Sequence, residues 1–199
     1  DVEQQRLRDS ACRSCTNGVA RSHLLSYERE GALLEELFTH DGSGTLIAQN
    51  PYEQARSADI NDIASIVELI RPLEDSGALV KRSRERLEEE IGYFSILERD
   101  GRVLACAALY PYEVEGVGEI ACVATHPDYR GTGRARQLLD ELIAEAKALS
   151  LTHVFVLTTQ STHWFLEQGF EAASPDDLPV EKQQLYNWQR SAAVLRRTV

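Results

Sequence analysis

The sequence contains no methionine, and several other residue types are scarce. Its 199 residues include four cysteines and two tryptophans, and 21 lysines and arginines stand against 32 aspartates and glutamates. The formal net charge of −11 repels the phosphate backbone, so binding a nucleic acid would require a strong local basic patch. The longest uninterrupted apolar run, residues 103–110, is far shorter than a membrane span or a signal-peptide core. Neither nucleic acid nor a membrane is therefore an expected partner.

The missing methionine bears on how the chain arises. Translation starts with methionine, whereas this chain opens at Asp1. The simplest interpretation is that the sequence is the carboxyl-terminal part of a longer product. The alternative is removal of the initiator from a protein that has no internal methionine. A hydrophobic content of 43% with 27% charged residues is ordinary for a folded globular protein and argues against disorder.

The four cysteines predict neither a metal centre nor a redox motif. Cys12 and Cys15 form a Cys-x-x-Cys pair, but a zinc site usually needs a second pair. A redox Cys-x-x-Cys normally follows a strand and opens a helix, and no strand pattern precedes this one. Cys106 and Cys122 lie in apolar segments, where reduced and buried thiols are expected, in keeping with a cytoplasmic protein.

The pattern of apolar residues divides the chain into two parts, residues 1–50 and residues 51–199. The first part predicts a polar helix, two short strands and a second helix with a narrow leucine stripe. Asn50 and Pro51 mark the boundary, because the residue before a proline is disfavoured in helices.

The second part predicts alternating strands and helices. Asp100 and Gly101 lie between two apolar runs and are a strong hairpin signal. A long amphipathic helix is predicted for residues 134–149, because leucine, isoleucine and alanine recur on one face. A helix over residues 57–73 is expected to be ended by Pro72 and Gly77, and one strand is expected after Phe170. This order describes a mixed α/β domain.

A glycine turn at residues 130–133 carries the strongest chemical signal. It joins a predicted strand to the long helix and reads Arg-Gly-Thr-Gly. Glycines let consecutive backbone N–H groups converge on a phosphate at the positive end of a helix. Arg130, Arg134 and Arg136 add positive charge in a chain of opposite net charge, which favours a pyrophosphate-binding turn. The alternative is a connector with solvated arginines, because short glycine motifs recur by chance.

Two motifs of the second part resemble the GNAT family of N-acetyltransferases. The pattern Arg130-x-x-Gly133-x-Ala135 is similar to the family's acetyl-CoA signature, Gln/Arg-x-x-Gly-x-Gly/Ala. Residues 164–170 are similar to its closing motif, a helix that ends in Gly-Phe. The resemblance covers residues 52–199. It implies a central, mixed and twisted sheet flanked by helices, with acetyl-CoA as co-substrate and without a metal.

Further segments narrow the resemblance to the family of bacterial N-acetylglutamate synthases. It implies transfer of the acetyl group from acetyl-CoA to the α-amine of L-glutamate, the first step of arginine biosynthesis. It also implies a cytoplasmic location and, for the full-length protein, a homo-oligomer. The alternatives are a GNAT acetyltransferase for another amine, or a non-catalytic domain that senses coenzyme A or an amino acid. The segments that carry the resemblance are residues 70–74, 80–88, 118–123, 157–159 and 185–191.

The resemblance assigns roles to individual residues. Glu119 matches the general base, although an edge-strand carboxylate in a surface ion pair is the alternative. The backbone N–H groups near Cys122 are the expected donors to the thioester oxygen, and Thr158 supplies a hydroxyl. Residues implied in acetyl-CoA binding are Val123, Ala124, Arg130, Gly131, Thr132, Gly133, Arg134 and Ala135. Residues implied in glutamate binding are Leu79, Lys81 or Arg82, Cys122, Thr158 and Arg190.

Two further implications concern the departing thiolate and an effector. Many GNAT enzymes have a tyrosine where this chain has Phe165, so another group or water must protonate the thiolate, with Tyr186 as a distant candidate. Residues 18–23 and 31–45 resemble the end of the amino-acid-kinase-like domain of the synthases. There His23, Glu36 and Gly42 match an arginine-inhibitor site, which makes arginine an implied inhibitor of the intact protein.

Overall fold

The computed structural model describes residues 2–39, 42–49, 53–186 and 191–199. The chain divides into two compact units, residues 1–52 and residues 53–199. The helices are α1 (Val2–Thr16), α2 (Ala32–Phe38), α3 (Ile63–Asp75), α4 (Arg84–Glu90), α5 (Arg134–Ala148), α6 (Thr162–Glu167) and α7 (Val180–Leu185). The strands are β1 (Arg21–Leu24), β2 (Thr45–Ala48), β3 (Gln54–Ser57), β4 (Phe94–Arg99), β5 (Arg102–Tyr112), β6 (Val117–Thr125), β7 (His153–Thr158), β8 (Glu171–Ala173) and β9 (Ala193–Thr198).

The first unit contains α1, α2 and a two-stranded antiparallel sheet of β1 and β2. α1 is polar along most of its length and buries Ala11 and Cys15. The Cys15 thiol lies 3.3 Å from the carbonyl oxygen of Ile47 in β2, which ties the helix to the sheet. The predicted helices and short strands of this part are present.

The second unit is built on a seven-stranded sheet with the order β3-β4-β5-β6-β7-β9-β8. β6 and β7 are parallel, whereas the other neighbouring strands are antiparallel. In β5, Ala105 and Ala107 pack in the core cluster that contains α5, and Cys106 and Ala108 pack in the cluster that contains α3. Because alternate residues of a strand point to opposite faces, these helices cover opposite faces of the sheet.

The long helix and the hairpin follow directly from the sequence pattern. The buried residues of α5 are Leu138, Leu139, Leu142, Ile143 and Ala146, which is the predicted apolar face. The hairpin between β4 and β5 turns at two residues that both have positive φ, 51° at position 100 and 77° at position 101. This pair of conformations is the type I′ turn that the Asp-Gly sequence favours.

Pro72 does not end α3, contrary to the sequence-based expectation. The helix continues to Asp75, and Gly77 follows with a φ of 75°. Proline lacks its own N–H donor and its ring crowds the carbonyl group four residues earlier, but its own carbonyl oxygen still accepts a hydrogen bond from the N–H of Ser76 at 3.2 Å. Near the carboxyl end of a helix, this loss is tolerated.

The end of the chain contains more helices and strands than the sequence pattern predicts. One strand was expected after Phe170, whereas β8 and β9 are both present, with α7 between them along the chain. β3 is a further strand without a clear signal in the sequence. The four residues of β3 and the three residues of β8 are too few to show a periodic pattern.

Candidate active site

β6 carries a β-bulge at its centre. Cys122 and Val123 stand opposite a single residue of β5, Ala107. Cys122 has a φ of 53°, a left-handed conformation that costs about 1–2 kcal/mol in a residue other than glycine. A bulge leaves its extra residue unpaired and re-aims the backbone. The bulge therefore makes backbone N–H groups of β6 available as donors to a bound molecule.

β6 and β7 separate at the bulge. Their parallel register ends at Glu119 and Phe155, although β6 continues to Thr125 and β7 to Thr158. A cavity of about 130 Å³ lies between the separated strand ends. We call it the middle cavity, and its walls include residues 120–123 and residues 156–158.

Two larger cavities adjoin the middle cavity and share lining residues with it. The turn cavity, of about 540 Å³, contains the glycine turn, the start of α5 and one face of α6. The Glu119 cavity, of about 640 Å³, is lined by Glu119, Arg82, Arg86, Lys182 and Tyr186 together with apolar residues. Val123 lines both the turn cavity and the middle cavity, and Cys122 lines both the middle and the Glu119 cavity. The bulge thus lies at the junction of the three cavities.

The glycine turn has the backbone geometry of an anion-binding loop. Gly131 and Gly133 have φ values of 74° and 85°, and Gly133 is the residue immediately before α5. The first N–H groups of a helix have no carbonyl partner within the helix, and the first residues of α5 line the turn cavity. Of the eight residues predicted to bind acetyl-CoA, seven line this cavity. The exception is Thr132, whose hydroxyl donates to the carbonyl oxygen of Tyr129 at 2.7 Å.

Arg134 is held by the protein itself. Its guanidinium pairs with Glu53, with Nε 2.9 Å from Oε2, and it also bonds to the Thr132 hydroxyl. It lies over the Tyr129 ring, 5.0 Å from the centroid, where Arg99 also stacks. These contacts hold the glycine turn in place. Phosphate binding by Arg134 remains a prediction.

The other two arginines of the turn are exposed. Arg130 lines the turn cavity, and its Nε donates to the carbonyl oxygen of Thr125 at 3.3 Å. The other donors of its guanidinium face solvent. Arg136 lies 3.8 Å from Asp140 in an exposed pair. Such a pair contributes little to stability, so this charge remains usable by a bound anion.

Glu119 is a buried carboxylate with a cationic partner. Only 8% of its side chain is exposed, and its Oε2 lies 2.7 Å from Nζ of Lys182 on α7. Burial, and secondarily the negative charge of Glu119, raise the pKa of the Tyr112 hydroxyl beside it. Glu119 is therefore neither on an edge strand nor at the surface, and the sequence-based alternative of a surface ion pair is wrong.

Lys81 and Arg82 have opposite environments. The Lys81 side chain is 76% exposed and lies 3.4 Å from Asp75. Arg82 is 12% exposed and lines the Glu119 cavity, and its Nε is buried without a hydrogen-bond partner among the described residues. Of the two alternatives that the sequence left open, the structure brings Arg82 to Glu119. Arg190 lies outside the residues that the structure describes.

Thr158 and Cys122 lie where β6 and β7 face each other. The Thr158 hydroxyl oxygen is buried and accepts a hydrogen bond from the Ser161 N–H at 2.9 Å. Both residues line the middle cavity, together with Leu79. Burial raises the pKa of the Cys122 thiol to about 11, with Arg82 acting in the opposite direction. The thiol is thus protonated at neutral pH, which supports a role for its backbone only.

Phe165 lies in an aromatic cluster at the inner end of the turn cavity. Its ring packs edge-on against Trp164 and Phe170, with centroids 4.8 and 5.3 Å away. Tyr186 lines the Glu119 cavity, but its hydroxyl donates to the carbonyl oxygen of Ala192 at 2.6 Å. A general acid for the departing thiolate is therefore not evident at either residue.

The three positions of the predicted effector site converge in the first unit. His23 donates from Nδ1 to Glu36, and this hydrogen bond lowers the pKa of Glu36. The second oxygen of Glu36 accepts from the N–H groups of Ser43 and Gly44 at 2.7 and 2.9 Å. Gly42 has a φ of 63°, which favours glycine, and a Cβ there would lie 2.5 Å from the Glu36 carboxylate, so a larger residue would displace that side chain.

Sequence reasoning missed two charged residues of the Glu119 cavity, Lys182 and Arg86. Lys182 follows a glutamate in a short helix with several polar residues, a pattern typical of a solvated helix face. Its contact with Glu119 depends on the path of the chain between β8 and β9.

Among the described histidine, cysteine, aspartate and glutamate residues, no group of three forms a metal-binding cluster. No helix in the described part of the chain is long and apolar enough to span a membrane.

The class of protein follows from this arrangement and from comparison with known families. Residues 60–170, more than half of the chain, match the family described as Acetyltransferase (GNAT) family. The chain therefore belongs to the GNAT acetyltransferase family, and the predicted mixed sheet flanked by helices is confirmed.

Individual relatives narrow the comparison. The chain is 54% identical over 190 residues to the amino-acid acetyltransferase of Aeromonas salmonicida, covering 96% of this chain and 43% of that protein. It is 55% identical over 185 residues to the amino-acid acetyltransferase of Yersinia pseudotuberculosis, covering 93% and 42%. The chain thus spans less than half the length of the curated relatives it matches.

A solved structure resembles the whole chain. The N-acetylglutamate synthase of Neisseria gonorrhoeae, complexed with coenzyme A and L-arginine, is 40% identical and has a TM-score of 0.89, over 100% of this chain and 45% of that one. A second structure of that enzyme, complexed with coenzyme A and N-acetyl-glutamate, has a TM-score of 0.72 at 41% identity, over 100% of this chain and 47% of that one. The predicted resemblance to the synthases is confirmed.

Proposed function

We propose that this chain transfers the acetyl group of acetyl-CoA to the α-amine of L-glutamate and releases N-acetylglutamate. One observation carries the proposal: a single cleft joins an anion-binding glycine turn to a buried carboxylate, Glu119, through a bulged strand. The names of the relatives and the ligands of the Neisseria gonorrhoeae enzyme support the amino acid and coenzyme A.

The two ends of the cleft suit the two substrates. The glycine turn and the first N–H groups of α5 would hold the phosphates of acetyl-CoA. The middle cavity is narrow and mostly apolar, which suits the chain that leads from the phosphates to the thioester. The Glu119 cavity would hold the amino acid, because its lining includes Arg82, Arg86 and Lys182. An amino acid with a second carboxylate matches this positive surface.

Glu119 acts as the general base, directly or through a water molecule. The α-amine of glutamate is mostly protonated at neutral pH, so it must lose a proton before it attacks. The neutral nitrogen then forms a bond to the acetyl carbon, and the carbon–sulfur bond breaks with its electron pair on sulfur. The nitrogen gives up its second proton to solvent as the amide forms, and the thiolate takes a proton from water, since Phe165 has none to give.

The bulge of β6 supplies the donors for the developing negative charge. Charge accumulates on the thioester oxygen during the attack, and a fixed N–H group at that point stabilises it. Cys122 lies at the junction of the middle and Glu119 cavities, and Val123 lies where the middle cavity meets the turn cavity, so their N–H groups are the proposed donors. Thr158 adds a hydroxyl in the middle cavity.

Release of free thiol from acetyl-CoA tests the reaction. We expect release to require L-glutamate when the common amino acids are supplied one at a time. Release with a different amine as the preferred acceptor would support a GNAT acetyltransferase of other specificity. If no amine causes release of free thiol although coenzyme A binds, the result would support a sensing domain.

Replacement of Glu119 by glutamine tests the base. We expect kcat at neutral pH to fall by about 100-fold or more, because an amide cannot accept the proton. The KM for acetyl-CoA should change by less than about threefold, since the glycine turn is intact. Glu141→Gln, at an exposed position of α5, is the matched control. Full kcat in the Glu119→Gln variant would contradict the assignment.

The first unit is proposed to be the carboxyl-terminal part of an amino-acid-kinase-like domain. Its His23–Glu36–Gly42 cluster supports a former or partial arginine site, because a carboxylate suits a guanidinium. In the intact protein, arginine is the proposed inhibitor at this cluster.

A further inference from the structure

Arg82 contains a buried hydrogen-bond donor that is not satisfied. Its side chain is 12% exposed, and its Nε has no hydrogen-bond partner among the described residues. The carboxylate of Glu90 is nearby, but its Oε2 lies 3.8 Å from this Nε, beyond the range of an N–H···O hydrogen bond. A buried donor without a partner is unfavourable, so other contacts must hold the two groups apart.

Two other side chains hold the carboxylate of Glu90. Its Oε1 accepts a hydrogen bond from Nε of Arg86, also on α4, at 2.6 Å. Its Oε2 accepts a hydrogen bond from the hydroxyl of Tyr110 on β5 at 2.7 Å. The oxygen that lies 3.8 Å from Arg82 is therefore the oxygen that Tyr110 holds.

The protonation states give these contacts their direction. Burial raises the pKa of the Tyr110 hydroxyl, and the hydrogen bond to Glu90 raises it further, so Tyr110 is protonated and donates. Burial alone would raise the pKa of Glu90, but the hydrogen bonds from Tyr110 and Arg86 outweigh it and lower the pKa. Glu90 is thus an anion that attracts Arg82 without forming a hydrogen bond to its Nε.

The sheet places Tyr110 beside the proposed active site. Tyr110 of β5 is the direct partner of Glu119 in β6, and directly opposed residues of an antiparallel pair project from the same face. The Tyr110 ring packs against Tyr93, with centroids 5.2 Å apart, which restrains the position of the hydroxyl. Tyr110 is not one of the residues that line the Glu119 cavity, so it acts through a neighbour.

Arg82 is fixed at its backbone, whereas its guanidinium is held weakly. The backbone N–H donates to Glu74 Oε1 at 2.9 Å, and Nη1 donates to the carbonyl oxygen of Val80 at 3.2 Å. Without the Tyr110 hydroxyl, Oε2 of Glu90 is released and forms a direct hydrogen bond with Arg82 Nε. This closure satisfies the buried donor and draws the guanidinium away from a substrate carboxylate.

On the basis of the proposed function, we infer that Tyr110 is a positioning residue for binding of the amino-acid substrate. Its hydroxyl holds Glu90 away from Arg82 and thereby keeps the Arg82 guanidinium available to a substrate carboxylate. Arg86 and Lys182 line the same cavity and can contact the substrate as well, since only the placement of Arg82 depends on Tyr110.

Tyr110→Phe tests the inference, because it removes the hydroxyl and keeps the ring. We expect the KM for L-glutamate to rise by about threefold to tenfold, while kcat and the KM for acetyl-CoA stay within about twofold. Tyr93→Phe is the matched control, since Tyr93 packs against Tyr110 and is 45% exposed. It should change each constant by less than about twofold.

A double-mutant cycle with Arg82→Gln shows whether Tyr110 acts through Arg82. In the Arg82→Gln background, Tyr110→Phe should change the KM for L-glutamate by less than about 1.5-fold, because the group that it positions is already absent. A hydroxyl with a merely structural role would change the melting temperature and leave this coupling at zero.

The outcomes distinguish the inference from the proposed function. A wild-type KM for L-glutamate in Tyr110→Phe, even with a lower melting temperature, overturns the inference while the proposed function stands. An equal rise in Tyr93→Phe, or an undiminished effect of Tyr110→Phe in the Arg82→Gln background, also overturns it. A wild-type chain that does not acetylate L-glutamate overturns the proposed function, and the inference falls with it.

Discussion

Arg82 and Lys81 show how adjacent cations acquire different roles. The backbone N–H of Arg82 donates to Glu74 at 2.9 Å, and this contact fixes the residue at the wall of the Glu119 cavity. Lys81 lies beside Asp75 at the surface. Two adjacent cations therefore have entirely different surroundings, and only Arg82 lines the cavity.

Substitutions at these two positions are expected to differ in their effect on glutamate binding. Arg82→Gln should raise the KM for L-glutamate by about 10-fold to 100-fold, because a charge-assisted hydrogen bond of about 1.5–3 kcal/mol is lost. Lys81→Gln should change it by less than about twofold, because exposed ion pairs contribute little. Steady-state kinetics at saturating acetyl-CoA measure both effects. Equal effects, or a larger effect at Lys81, would contradict the assignment of Arg82.

At the scale of elements, the bulge in β6 and the turn before α5 act together. The bulge separates β6 from β7 and opens the middle cavity, and β6 then leads directly to the glycine turn. Behind the turn, Arg134, Glu53 and Tyr129 form a packed cluster that restricts its movement. A turn that is already ordered loses less conformational freedom when an anion binds.

A side chain at Gly133 is expected to weaken binding of coenzyme A. The residue has a φ of 85°, and a Cβ would meet no atom within 4 Å, so the effect of Gly133→Val comes from backbone strain. The left-handed conformation costs a β-branched residue about 1–2 kcal/mol or more, and the turn relaxes away from its anion-binding shape. The Kd for coenzyme A should rise by at least about tenfold, as measured by calorimetry.

The chain offers a matched control for this variant. Gly116, at the end of the hairpin between β5 and β6, has a φ of 66° and also has open space around its Cβ position. Gly116→Val introduces similar strain away from the turn cavity and should leave the Kd unchanged. If both variants weaken binding equally, a general loss of stability explains the result and the placement of the phosphates is wrong.

At the scale of the whole molecule, the division into two units has a direct consequence. The three hydrophobic core clusters lie within residues 53–199, and so do all three cavities of the cleft. The first unit has its own small sheet and buries few apolar residues. The cytoplasmic location and the homo-oligomer of the full-length protein stay predictions.

A chain of residues 53–199 is therefore expected to fold and to bind coenzyme A by itself. Its Kd should lie within about twofold of that of the 199-residue chain, because the lining of the turn cavity is complete in the second unit. Calorimetry measures the affinity, and circular dichroism verifies the fold. A folded fragment with clearly weaker binding would show that the first unit contributes to the site.

Much of the fold could be predicted because its signals are local. The apolar face of α5, the Asp-Gly hairpin and the glycine turn are each encoded within a few consecutive residues. β3, α7 and the second of the two strands after Phe170 could not be predicted, because such short segments show no periodic pattern of their own. The continuation of α3 past Pro72 likewise could not be predicted, because the expectation that a proline ends a helix does not consider the hydrogen bond that its carbonyl oxygen accepts from Ser76.

The sequence by itself determined the family, the mixed α/β class and the residues of the glycine turn, because these depend on residue type and spacing. Only the tertiary structure decided which of Lys81 and Arg82 faces the cavity, that Arg134 pairs with Glu53, and that Lys182 meets Glu119. Lys182 and Glu119 are 63 positions apart, counted from their residue numbers. Such a contact exists only after the sheet has brought β6 and the segment before β9 together, so no local pattern can encode it.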